Sequence, residues 1–190
     1  MFSRKKNYLK QIYKQSPKTM RFIIEVSLDN YNEVFNGWDP SPIKRRDIEP
    51  ELLNYIEQCA YDIPLKYGIE LNFHLPKNLY NEKKENLTKV ALINNFKFIT
   101  HFINRKLALY YRKILVYIIL SFSFLAAGFL IKQHGNFDVV LTTLIEGLYI
   151  GGWVFLWEAF SLFFFSSQET RGKLKRYTRF IDSPVHFYYQ

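Results

Sequence analysis

The sequence predicts an α+β membrane protein, in which a transmembrane hairpin of two helices carries a small cytoplasmic α/β domain. Two long apolar segments predict the hairpin, and short segments with alternating apolar residues predict the domain. The domain is expected to follow the order β-α-β-α, with a further strand at the C-terminus. With 190 residues, the chain is too short for two large independent domains.

Composition excludes several other classes of protein. Aromatic residues make up 18% of the chain, which is far too apolar for a disordered protein. The single cysteine, Cys59, excludes an internal disulfide framework and a multi-cysteine metal site. The net charge of +9 fits the basic flanks of a membrane protein first, so we expect no nucleic acid partner.

Residues 1–19 are predicted to form a basic N-terminal arm. Lys6, Lys10, Lys14 and Lys18 recur at every fourth position of this arm. The spacing fits a helix lying on anionic lipid, and it fits a solvated arm equally well.

Residues 20–106 are predicted to form the cytoplasmic domain. Residues 21–28 carry apolar side chains at every second position, and residues 69–75 repeat this pattern, which predicts two strands. Residues 51–64 between them have helical spacing, so the three segments form a β-α-β unit whose strands could be parallel. A second helix is expected to begin near Asn86 and to continue into the first membrane span.

Two transmembrane helices are predicted, at residues 107–132 and 139–165, with an external turn at 133–138. Within the first, residues 114–131 lack any charge, and as a helix they would span about 27 Å, close to the thickness of the hydrocarbon core. Basic residues flank both spans on the side of the chain termini, whereas Lys132 alone adjoins the turn. The positive-inside rule therefore places both termini in the cytoplasm.

Residues 166–190 are predicted to form a basic cytoplasmic tail that ends in a strand. Residues 185–190 follow a Ser-Pro pair and are rich in aromatic residues. A lone strand leaves its backbone groups unpaired, so we expect this strand to join the sheet of the domain.

An acid within the second span, Glu146, is the main candidate for function, and it forms a predicted polar intramembrane site with Thr142 and Thr143. A charge at the centre of such a helix costs roughly 2.5–3.5 kcal/mol, so Glu146 should face protein or water. Glu146 could line a polar path around an oligomer axis. Alternatively, it is protonated or bonded to a hydroxyl group, such as those of Thr142, Thr143, Ser121 or Ser123.

Glycines next to this acid predict a helix-packing face. Gly147 and Gly151 have the Gly-x-x-x-Gly spacing, and Gly152 adjoins them. Missing side chains allow two helix backbones to approach closely in lipid. The partner is either the first span, through Ala127 and Gly128, or a neighbouring subunit.

A loop of the domain is the candidate surface for a partner or ligand. It contains Trp38 and Asp39, followed by the basic run Lys44, Arg45 and Arg46. The basic run fits a phosphate-bearing ligand, and it also fits a solvated loop.

Motifs typical of enzymes are absent from the sequence. It has no glycine-rich phosphate loop, no Gly-x-Ser-x-Gly elbow and no His-Glu-x-x-His motif. The four histidines are scattered. We therefore predict no enzymatic activity, no catalytic residue, no metal and no cofactor.

Two segments resemble a family of small bacterial membrane proteins without assigned activity. They are the run from Glu146 to Glu158, with the pattern Glu-Gly-x-x-x-Gly-Gly-Trp, and the earlier Trp38-Asp39-Pro40-Ser41-Pro42. The resemblance covers most of the chain. It implies a recurring structural unit and the bacterial inner membrane as the expected location, and it brings no known chemistry.

These observations lead to two functional hypotheses. The first is a homo-oligomeric channel or membrane-permeabilising effector that is gated by its cytoplasmic domain. The second is a membrane-anchored scaffold or sensor that recruits a cytoplasmic protein and conducts nothing. The expected partners are the lipid bilayer, further copies of the chain and, for the second hypothesis, a cytoplasmic protein.

Overall fold

The computed structural model describes residues 8–133, 135 and 138–190. Lys6 of the predicted arm and residues 134, 136 and 137 of the predicted turn lie outside the described residues. The described chain up to His101 forms one compact unit together with Leu174–Gln190, and Phe102–Lys173 forms a second.

Three strands form the sheet of the first unit, as the sequence predicts, and all three are parallel. They are β1 (Phe22–Ser27), β2 (Ile69–Leu75) and β3 (Val185–Tyr189), with β2 in the centre. Leu71 of β2 lies opposite Ile24 of β1 and opposite Val185 of β3. The C-terminal strand therefore completes the sheet that the N-terminal half begins.

Within the described residues, four α-helices of thirteen residues or more accompany the sheet, and two of them are long and apolar. They are α1 (Pro50–Asp62), α2 (Glu82–Lys132), α3 (Val139–Ser161) and α4 (Ser167–Ile181). Helix α1 connects β1 to β2 and buries its apolar side, including Ile56. Helix α2 contains 51 residues and is therefore roughly 75 Å long.

Helix α2 begins four residues before the predicted start at Asn86. The side chain of Asn81 accepts a hydrogen bond from the backbone N–H of Lys84 at 3.1 Å, which caps the helix. Glu82 and Glu85 in the first turn also favour this start, because they face the positive end of the helix dipole.

The second apolar helix continues beyond the predicted end at residue 165. The chain passes from α3 through a π-helical turn, Leu162–Ser166, directly into α4. No glycine or proline stands between Trp153 and Arg171 to stop the helix. Most of the segment predicted as a tail is thus helix α4.

The core of the first unit contains aromatic side chains from α2 and α4. The rings of Phe96 and Phe180 stack with centroids 4.9 Å apart. Tyr177 is almost fully buried and donates a hydrogen bond to Glu57 of α1 at 3.1 Å. These contacts tie α4, far along the chain, to the N-terminal elements.

Arg179 of α4 holds the end of α1 by an unusual set of hydrogen bonds. Its guanidinium group donates to four backbone carbonyls, those of Ala60, Ile63, Pro64 and Tyr67. Burial lowers the pKa of Arg179 to about 10, with a further contribution from Arg176. The group stays protonated near neutral pH and joins α4 to the last turn of α1 and to the loop that follows it.

Part of the predicted N-terminal arm packs on the domain. Gln15 forms an antiparallel bridge with Phe22, and the N–H of Ile23 donates to the carbonyl of Lys14 at 2.9 Å. Leu9 is only 5% exposed. This segment covers the outer edge of β1, which would otherwise present unpaired backbone groups.

In the second unit, the apolar part of α2 packs against α3 in the opposite direction. The ring of Phe155 stacks on Tyr117 at 6.0 Å and meets the edge of Phe124 at 5.4 Å. Ser121 of α2 and Ile145 of α3 are buried between the helices.

Candidate functional site

Three of the four predicted packing glycines lie in this α2–α3 contact. A methyl group on Gly152 would lie 2.7 Å from Cγ of Leu125, and one on Gly151 would lie 3.0 Å from the ring of Phe124. On the other helix, a methyl group on Gly128 would come within 3.3 Å of the Tyr149 ring. Gly152 therefore permits an approach that an added methyl group would disrupt, whereas a methyl group on Gly151 or Gly128 would require only a small shift of the neighbouring ring.

Gly147 faces the other way. No atom lies within 4 Å of the position that its Cβ would take. Its neighbour Glu146 is exposed as well, so α2 covers neither of them. The residues of the Glu-Gly-x-x-x-Gly-Gly motif thus lie on two sides of α3: Gly151 and Gly152 pack against α2, whereas Glu146 and Gly147 are exposed.

The nearby hydroxyl groups do not bond to Glu146. Thr142 donates to the carbonyl of Asp138 at 3.0 Å, and Thr143 donates to the carbonyl of Val139 at 2.8 Å. Ser123 bonds to its own helix in the same way. Ser121 is fully buried, and its hydroxyl has no hydrogen-bond partner among the described residues.

Glu146 heads a stripe of large exposed side chains along α3. Ile150, Trp153 and Trp157 follow at helical spacing and are 65%, 63% and 73% exposed. We call these four residues the outer stripe. All of its residues except the acid are apolar or aromatic, so the outer stripe is an exposed hydrophobic patch with one carboxylate at its end.

In the predicted partner-binding loop, Asp39 and Arg46 fix the loop conformation. The carboxylate of Asp39 accepts hydrogen bonds from the backbone N–H groups of Ser41 at 2.9 Å and Asp47 at 2.8 Å. Hydrogen bonds from Ser41, and then from Asp47, hold the pKa of Asp39 below its ordinary value of 3.8. Arg46 Nε donates to the carbonyl of Ser41 at 3.1 Å.

The other three predicted residues of this loop are exposed. Trp38 is 94% exposed, and Lys44 and Arg45 lie at the surface. The structure does not bring Trp38 into the same cavity as the two basic residues, which line a cleft of about 500 Å³.

The far wall of this cleft comes from α2 and was not predicted. Asn94 donates to the carbonyl of Lys44 at 3.2 Å, and Asn95 donates to the side chain of Asp47 at 3.3 Å. Phe98 completes this wall and is 57% exposed. The sequence did contain a signal for this wall. Asn94 and Asn95 are consecutive in an otherwise apolar helical segment, and their side-chain amides need hydrogen-bond partners outside the helix.

The part of the chain that the structure describes holds no group of three or more His, Cys, Asp or Glu residues placed to bind a metal ion. Cys59 is buried in the core. Searches of protein-family models, curated proteins and solved structures found no match to this chain.

Proposed function

We propose that the chain is a homo-oligomeric protein of the bacterial inner membrane that conducts ions or permeabilises the membrane under control of its cytoplasmic domain. Both termini lie in the cytoplasm, and the two apolar helices cross the bilayer as a hairpin. The exposure of Glu146 in the middle of an apolar helix carries this proposal.

Exposure of the apolar helices supports the membrane location. Two helices, Glu82–Lys132 and Val139–Ile181, are long and apolar enough to cross a membrane. Only 17% and 11% of their apolar windows are buried within the chain. The core helix of a soluble domain would be mostly buried, so this exposure supports a cover of lipid or of other copies.

Glu146 then supports self-association. An exposed carboxylate at this depth costs roughly 2.5–3.5 kcal/mol on insertion scales, and α2 does nothing to shield it. The bare backbone at Gly147 lets another copy of α3 approach closely. Association through the outer stripe removes the acid from lipid and places several carboxylates around one axis.

Such an arrangement would favour cations. Two helices of one chain cannot enclose a pore, whereas a ring of chains can, and rings of acidic side chains select cations in known channels. Helix α2 belongs to both units of the chain, since it contributes Phe96 to the core of the domain and Ser121 to the apolar contact. No chemical reaction by the chain is part of this proposal.

Ion flux through purified protein in liposomes tests conduction. Glu146→Gln should lower cation flux at least severalfold and weaken the preference for cations over anions. Glu158→Gln is the matched control, because Glu158 is an exposed acid on the same helix, three turns away. Absence of flux, or equal flux in wild type and Glu146→Gln, would refute conduction through a Glu146 ring.

Membrane topology is tested separately by cysteine labelling. In a Cys59→Ser background, Gln133→Cys should react with an impermeant maleimide added outside, whereas Trp38→Cys should react only after the membrane is opened. Reaction of both from the same side would contradict the hairpin.

A scaffold or sensor function is the second candidate, and the 94% exposure of Trp38 favours it. A large aromatic side chain on a loop that hydrogen bonds hold rigid is typical of an anchor in a protein interface. Affinity purification from the native host should recover a specific protein with wild type and lose it with Trp38→Ala, while liposomes show no flux. Recovery of the same protein with both would exclude Trp38 as the anchor.

A further inference from the structure

The cleft between the partner-binding loop and α2 has the properties of a small-molecule site. Its volume of about 500 Å³ lies within the usual range for ligand pockets. Its walls come from two elements that direct hydrogen bonds join, through Asn94 and Asn95. The cleft is therefore a formed cavity and does not depend on a rearrangement to exist.

The two cations in this cleft are not paired with a carboxylate. Lys44 and Arg45 line it, and among the described residues neither forms an ion pair. The lining also contains two acids, which keep their negative charge: Asp39 accepts two backbone hydrogen bonds, and Asp47 accepts one from Asn95. The two cations remain available to an incoming anion.

The opposite side of the cleft offers an apolar surface. Phe98 of α2 lines it, with more than half of its ring exposed. An exposed aromatic ring beside basic groups suits a ligand that has a planar apolar part and an anionic part. Inorganic phosphate alone would make no contact with the exposed part of this ring.

We propose that this cleft binds a phosphorylated small molecule of the nucleotide class, with its phosphate groups on Lys44 and Arg45 and its planar part against Phe98. The guanidinium group of Arg45 can hold phosphate oxygens in a two-pronged fashion, and Lys44 adds a compact charge. The inference does not depend on the proposed membrane function, because all of the contributing residues belong to the domain.

Calorimetric titration of the full chain in detergent tests the site, with ATP, adenosine and inorganic triphosphate as probes. ATP should bind more tightly than either of its parts, and added salt should weaken its binding. Lys44→Gln combined with Arg45→Gln should weaken ATP binding by roughly tenfold or more, the size expected when charged hydrogen bonds to phosphate are lost.

A matched control removes the same charge elsewhere. Lys77→Gln combined with Lys83→Gln takes two exposed lysines from the same unit, outside the cleft, and should leave binding within twofold of wild type. Phe98→Leu should weaken ATP more than triphosphate, which separates contact with the ring from contact with phosphate. Equal binding of ATP and adenosine, equal loss in both double variants, or no binding of ATP would overturn the proposal.

Discussion

Replacing Arg179 with methionine should loosen the attachment of α4 to α1. The guanidinium group serves four carbonyls, but its Nη1 atom is shared among three of them, so about three hydrogen bonds are independent. Each such bond contributes about 1 kcal/mol net where the carbonyls are partly solvated. We therefore expect a loss of about 3 kcal/mol in the opening free energy of the first unit.

Hydrogen exchange followed by mass spectrometry on the full chain in detergent measures this effect locally. A loss of about 3 kcal/mol corresponds to a fall of about 100-fold in protection of the slowest amides in α1 and α4. Arg179→Lys should lose less, because an ammonium group keeps the charge but cannot reach all four carbonyls. Lys175→Met, an exposed residue one turn earlier on α4, is the control and should change protection little.

Protection in Arg179→Met equal to that in Lys175→Met would refute the reasoning. That result would mean that water satisfies the four carbonyls as well as the guanidinium group does. A fall confined to α4, with α1 unchanged, would likewise contradict the attachment of α4 to the end of α1.

Three further changes test other contacts. Gly152→Ala places a methyl group 2.7 Å from Cγ of Leu125 and should destabilise the α2–α3 packing by about 1–3 kcal/mol, measured as easier unfolding by SDS. Gly147→Ala meets open space and should leave unfolding by SDS unchanged. Asp39→Ala should accelerate amide exchange in residues 36–47. Because the pKa of Asp39 is lowered in the folded protein, the carboxylate stabilises the loop fully at pH values above 3.8, and this stabilisation is lost as the pH falls through the folded pKa. In acid, the wild-type loop should therefore exchange as fast as that of Asp39→Ala, after correction for intrinsic exchange. Tyr189→Phe removes the hydroxyl that bonds to Glu85 and should lower protection of β3 by about 1–2 kcal/mol.

Each of these has a clear contrary result. Equal SDS resistance in the two glycine variants would show that the close approach of α2 and α3 does not limit packing. Unchanged exchange in the loop of Asp39→Ala would show that its carboxylate does not hold the loop. Unchanged β3 protection in Tyr189→Phe would show that the hydroxyl contact is dispensable.

Local sequence pattern predicted the strands and helices, but it did not predict that the second face of the sheet is buried. Alternation in β2 correctly predicted Leu71 and Phe73 in the core, and it assigned Glu70 and Asn72 to the opposite, polar face. Both polar residues are nevertheless buried, and the hydroxyl of Thr19 donates to Glu70. Alternation shows which side chains share a face and says nothing of what later covers that face.

The candidate sites show the same limit. The loop containing Lys44 and Arg45 was recognisable from its charges, whereas Asn94 and Phe98 join it from a helix about fifty residues further on. Helical spacing does not reveal which loop a helix packs against. For Glu146, the glycines of α3 indicated a packing face but not its limits, because Gly151 and Gly152 contact α2 whereas Gly147 meets open space.

The position of β3 has a consequence for synthesis on the ribosome. When the central strand β2 leaves the ribosome, one of its edges is unpaired, because its partner β3 follows about 110 residues later. At the usual rates of translation this interval lasts on the order of 10 s, during which the half-finished sheet exposes both backbone and apolar surface. We therefore expect nascent chains stopped before Val185 to be degraded rapidly or held by chaperones, and chains that extend past Tyr189 to become protease-resistant abruptly.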